Sequence, residues 1–113
     1  MHEMSLAESV CEIVENTARA HGARRVAVVR LEIGKLAQVE IEAMRFAFEV
    51  AKHGTLADKA QLEIVETDGS AWCMGCTQAV LIAQRGDPCP HCDSYQLQVN
   101  GGDRMRVMDI EID

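Results

Sequence analysis

The sequence predicts an α+β fold, with two helices packed on a three-stranded sheet and a small module inserted between the second and third strands. Three observations carry this. Apolar residues recur at steps of three and four over residues 5–21 and 39–52, the period of helices with one buried face. β-Branched, alternating runs at 25–33, 61–67 and 104–112 have the period of half-buried strands. Between the last two strands, residues 69–100 are bounded by Asp68-Gly69 and Gly101-Gly102, the expected hinges, and hold all but one of the 5 cysteines. The expected domains are therefore 1–68 with 101–113, and an insert of 69–100.

In the first helix, Leu6, Val10, Ile13, Thr17 and Ala20 form the expected apolar stripe, with Val14 beside it. Ser5-Leu6-Ala7-Glu8 has the form of a capping box, and Gly22 supplies the stop. Cys11, near the stripe, reads as a small buried hydrophobe. In the first strand Val29, Leu31 and Ile33 face inward, Arg30 and Glu32 outward, and Gly34 ends the run. The second helix buries Ile41, Met44, Phe48 and Ala51, with Ala47 close by. Its first turn carries Glu40 and Glu42, where carboxylates meet the positive end of the helix dipole. Leu62 and Ile64 point inward from the second strand. Met108, Ile110 and Ile112 share one face of the last. Inside the insert, 79–84 and 96–99 read as short strands.

The chain has 113 residues, 48% hydrophobic and 26% charged, which suits an ordinary soluble domain. Its formal net charge is -7. Nucleic-acid binders need a basic footprint, and Arg24-Arg25 with Arg104 and Arg106 make no stripe. Aromatic stacking residues are scarce. No run approaches membrane-spanning length and no signal-type segment opens the chain, so no membrane association and a cytoplasmic location are expected. No arrangement of nucleophile and base, phosphate-cradling loop or paired catalytic acids is visible, so no enzyme is expected.

The insert contains Cys73-Met74-Gly75-Cys76, twelve further residues, and Cys89-Pro90-His91-Cys92. Two such turns, brought together by a hairpin, place four sulfurs around one ion in a tetrahedron. Soft thiolates in that geometry suit Zn(II) or iron. Two disulfides or two redox pairs are the other readings of the same spacing, and an iron-thiolate carrier a further one. An odd cysteine count points to a reducing compartment. Four protein ligands leave no open position, so zinc here would be structural, completing a zinc-ribbon-like module too small to fold without it. His91 is expected beside the site rather than on the metal.

A second site is legible at the other end of the chain. Met1-His2-Glu3 places the α-amine of Met1, the His2 amide and the His2 imidazole in one chelating unit. Amine and amide close a five-membered ring on a metal, amide and Nδ1 a six-membered one. Three nitrogens then occupy three corners of a square, a geometry that suits Ni(II) or Cu(II). The carboxylate of Glu3 or Glu40 could take the fourth corner.

The Met1-His2-Glu3 start, the segment from Leu31-Glu32-Ile33-Gly34 through Phe48-Glu49, and the paired Cys-x-x-Cys turns together resemble the hydrogenase maturation nickel chaperones of the HypA/HybF family. The resemblance covers essentially the whole chain. It implies Ni(II) binding at Met1, His2 and Glu3, with Glu40 as the acidic residue near the start of the second helix. It implies structural Zn(II) at Cys73, Cys76, Cys89 and Cys92. It implies a metallochaperone that hands Ni(II) to the large subunit of a nickel-iron hydrogenase with a maturation GTPase as partner; some relatives also serve urease. A homodimer, including one that exchanges the insert, is compatible with such a chain. A zinc-ribbon module that touches other proteins or nucleic acid is the alternative, which the acidic charge disfavours.

Overall fold

Helix α1 (Glu3–Ala20) starts earlier than the capping box predicts. The computed structural model describes residues 2–113, so Met1 lies outside the described residues. His2 is the N-cap of α1, without a side-chain cap bond, and its carbonyl accepts the first helical bond from the Leu6 amide at 2.9 Å. Ser5 and Glu8 therefore lie inside the helix. The buried face also differs from the expected stripe. Ala7, Val10, Cys11, Val14 and Ala18 are buried, whereas Ile13 is 53% exposed and Thr17 and Ala20 are also exposed. The expectation followed the large Leu6 and Ile13. The helix instead turns its small side chains inward, where α1 and α2 pack on each other.

Strand β1 (Val26–Gly34) buries Val29, Leu31 and Ile33 as its alternation requires. Helix α2 (Ile41–Ala51) buries Met44, Ala47 and Phe48. Its N-cap is Glu40, whose carboxylate accepts from the Glu42 amide at 3.3 Å and the Ala43 amide at 2.7 Å. Strands β2 (Gln61–Thr67) and β6 (Met105–Ile112) flank β1 in the order β2-β1-β6. Arg30 ties the three strands on the face of β1 opposite Val29, Leu31 and Ile33. It reaches Glu63 on β2 at 2.9 Å, Asp109 on β6 at 2.7 Å, and Glu111 beside it. On the opposite face of β6, Met108 and Ile112 stay more than a third exposed, so the expected apolar face is only partly covered.

A second sheet contains β3 (Gly69–Cys73), β4 (Gln78–Ile82) and β5 (Leu97–Gly101), in the order β4-β3-β5. The central strand, β3, was not expected from the sequence. Its inward residues are Gly69, Ala71 and Cys73, too small to write an apolar alternation. Both pairings are antiparallel, with a register shift against β5 at Ser70/Ala71.

Contacts divide the chain into two units. One comprises residues up to Leu31, Val39–Val65 and Arg106–Asp113; the other comprises Glu32–Gln38 and Glu66–Met105. The second unit takes in the end of β1 and the turn after it. Leu36, 2% exposed, joins Ala71, Val80, Ile82, Cys73 and Cys89 in its core. Glycine is a steric necessity where its segments cross. A Cβ on Gly34 would lie 2.1 Å from the Gly102 carbonyl oxygen, and one on Gly102 2.1 Å from that of Asp68. The Gly102 carbonyl in turn accepts from the Leu36 amide at 2.8 Å.

Candidate metal sites

The four cysteines of the second unit converge from two turns. Cys73 ends β3, Cys76 closes the turn that leads into β4, and Cys89 and Cys92 lie in the loop between β4 and β5. Their sulfurs all lie within 4.8 Å of one another, with Cys73 to Cys92 at 3.6 Å and Cys76 to Cys89 at 3.8 Å. A disulfide needs about 2.05 Å, so these are free thiols, as is buried Cys11. A tetrahedron with zinc–sulfur bonds of about 2.3 Å has edges of about 3.8 Å. The donor set fits a tetrahedral ion on both chemistry and spacing.

Backbone amides are aimed at the sulfurs. The Cys76 amide points at Cys73 Sγ at 3.5 Å and the His91 amide at Cys89 Sγ at 3.4 Å. The first contact lowers the Cys73 thiol to about 7, whereas burial pushes Cys76 up to about 12. A divalent cation would hold all four as thiolates. The second turn is held by the Cys89 amide on the Ser94 carbonyl at 2.8 Å and the Asp93 amide on the Cys89 carbonyl at 2.9 Å. Ser94 is a residue that no sequence signal marks. It also explains Gly75, where a Cβ would lie 2.8 Å from Ser94 Cβ and 3.4 Å from Cys92 Sγ. Cys73 and Cys89 are fully buried, Cys76 is half-buried, and Cys92 is exposed. His91 is exposed and contributes its amide, not its ring, to the turn.

The N-terminal candidates lie in the first unit. His2 is exposed at the N-cap of α1 and Glu3 opens the helix. The first four amides of a helix have no intrahelical acceptor. The Glu3 amide belongs to that set and the His2 amide precedes it, so a metal can take these nitrogens without breaking a helical bond. Glu3 and Glu40 are brought together: the Glu40 amide donates to Glu3 Oε2 at 3.1 Å. Glu40 thereby supports Glu3 with its backbone while its own carboxylate caps α2. Met1 lies outside the described residues.

Among the described residues, no helix is long and apolar enough to cross a membrane. The family model described as "Hydrogenase/urease nickel incorporation, metallochaperone, hypA" matches residues 1–112. The hydrogenase maturation factor HypA of Azotobacter chroococcum mcd 1 is 52% identical, and that of Alkalilimnicola ehrlichii 53% identical, each over 100% of both chains. The solution structure of the Ni metallochaperone HypA from Helicobacter pylori aligns with a TM-score of 0.72 at 25% identity, covering 99% of this chain and 97% of that one. Residues 1–112, a shared fold and relatives of equal length lead to one conclusion: this chain belongs to the HypA family of nickel metallochaperones for hydrogenase maturation.

Proposed function

We propose that this metallochaperone carries Ni(II) as cargo at its N-terminal segment and releases it to a nickel-iron hydrogenase during maturation. The α-amine of Met1, the His2 amide and the His2 imidazole supply three donors, and a carboxylate completes the square. The observation that carries this reading is the place of His2 as the N-cap of α1, which leaves the amides of the motif outside the helical ladder. Glu3 is the preferred fourth donor. Glu40 is the second candidate, and joining the metal would require its carboxylate to leave two α2 amides. Uptake strips protons from amine and amide, so reprotonation or loss of a corner ligand on docking provides release.

The Cys73, Cys76, Cys89 and Cys92 cluster holds a structural Zn(II), supported by sulfur separations close to a tetrahedral edge. The chain acts without catalysis, in the cytoplasm, with a maturation GTPase and the hydrogenase large subunit as partners; the family description extends the cargo's destination to urease. Nickel titration of untagged protein tests the reading against His2→Ala and against a chain whose α-amine is acetylated. Both changes should abolish tight binding. Undiminished binding by both variants would sink the site.

A further inference from the structure

The edge of the second sheet carries a surface that neither metal site uses. β4 pairs with β3 on one side and is otherwise the outer strand. Edge strands present a row of unpaired amides and carbonyls, and proteins commonly blunt them with charges, proline or bulges. β2 carries Glu63 and Glu66, β6 carries Arg106, Asp109 and Glu111, and β5 has a register shift at its junction with β3. β4 reads Gln78-Ala79-Val80-Leu81-Ile82, without a charge or a proline.

The face beside this edge is apolar and open. Register places Ser70 opposite Leu81 and Trp72 opposite Ala79, so these side chains share the outward face. Leu81 is 62% exposed and Trp72 42%. Two recesses run along the strand, and Leu81 lines both. One, of about 340 Å³, is walled by Ala79, Pro90 and His91. The other, of about 250 Å³, is walled by Ile82, Ala83 and the Lys35–Asp68 ion pair. Neighbouring residues on one face of a strand are about 7 Å apart, so two side chains of an added strand would enter separate recesses.

Charge selects the occupant. The second unit has six carboxylates (Glu32, Glu66, Asp68, Asp87, Asp93 and Asp103) against three cations, Lys35, Arg85 and Arg104. Four thiolates on a divalent ion add about -2. A second copy of a chain with net charge -7 is repelled from this edge.

We propose that β4 receives an extended segment of a partner protein as a fourth strand, one in which apolar residues alternate with lysine or arginine. Main-chain bonds to β4 supply affinity, the recesses select the apolar positions, and the unit's overall excess of carboxylates over cations favours the basic ones. The site is independent of nickel loading.

The probe is acetyl-Lys-Leu-Lys-Val-Lys-Leu-amide, titrated into metal-loaded full-length protein. Trp72 is the only tryptophan and serves as the fluorescence reporter, with amide NMR shifts as the map. Shifts should cluster at Gln78–Ala83 and His91. Leu81→Lys, at an exposed position, should weaken binding roughly tenfold or more, as should glutamate in place of the peptide's lysines. A peptide N-methylated along one edge should not bind. No perturbation of β4 at millimolar peptide would overturn the proposal. So would equal binding of the acidic peptide, or concentration-dependent shifts at β4 without peptide, which would make a second copy the occupant.

Discussion

Glu40→Ala removes both side-chain bonds at the start of α2 while leaving its buried face untouched. The bond from the Ala43 amide is 2.7 Å long and that from Glu42 3.3 Å, so the first carries most of the effect. Residue 40 is exposed, which leaves no cavity to add. Loss of such a cap costs about 1 kcal/mol, and about 2 at most. In a unit of this size each kcal/mol lowers the melting temperature by about 4–8 °C. Glu40→Asn keeps a good capping acceptor, so its melting temperature should stay close to the parent's. It also removes the carboxylate, which separates capping from metal binding. With the carboxylate committed to α2, Glu40→Asn should leave nickel affinity within about twofold, under 0.5 kcal/mol on the same scale. The assays are thermal unfolding of nickel-free protein and nickel titration against a competing chelator at fixed pH. Unchanged melting with nickel binding more than about tenfold weaker would refute the reasoning, because Glu40 would then have left the cap for the metal.

Three further outcomes follow from other parts of the molecule. Ile13→Ala should change stability by no more than about 0.5 kcal/mol in chemical denaturation, whereas Val14→Ala, at a fully buried position, should cost about 1–3 kcal/mol; the reverse order would restore the stripe read from the sequence. Gly22→Ala meets open space at a φ of +69° and should cost about 1 kcal/mol, while Gly102→Ala, 2.1 Å from a carbonyl oxygen, should disrupt the second unit's amide NMR spectrum. Zinc added to metal-free protein near neutral pH should release protons measurable with an indicator, fewer as pH rises, because thiols ordinarily titrate at about 8.5 and must bind metal as thiolates. Uptake without proton release would exclude thiolate ligation.

Local patterns were legible at several positions where size and period agreed, though not at Ile13. Phe48, Met44 and Leu31 are large, periodic and buried, and the two Cys-x-x-Cys turns announce their own convergence. The rest depended on partners distant in the chain. In α1 the inward residues Ala7, Cys11 and Ala18 carry little hydrophobic weight in the sequence, although closeness to α2 makes them the better inward residues. β3 is illegible in the sequence for a related reason: Gly69 and Ala71 give no alternation until β4 and β5 flank them. Leu36 reads as a loop residue, and only the fold shows that it closes the core around Cys73 and Cys89. At the N-terminal site the proposed nitrogen donors rest on adjacency in the sequence alone. The roles of Glu40 as cap and as support for Glu3 required α2 to be in place.

The chain order of the first sheet has a consequence for synthesis. β1 lies between β2 and β6, and β6 follows every other element in the chain. The second unit draws on Glu32–Gln38 and Glu66–Met105, which leave the ribosome before all of β6 except its first residue. On a nascent chain translated at about 5–20 residues per second, the cysteine unit can therefore bring its four thiols together while β1 still lacks one neighbour. The helix capped by His2, the first of these elements to be made, belongs to the unit that is finished last, and a truncation within Met105–Ile112 would spare the cysteine unit more than the first sheet.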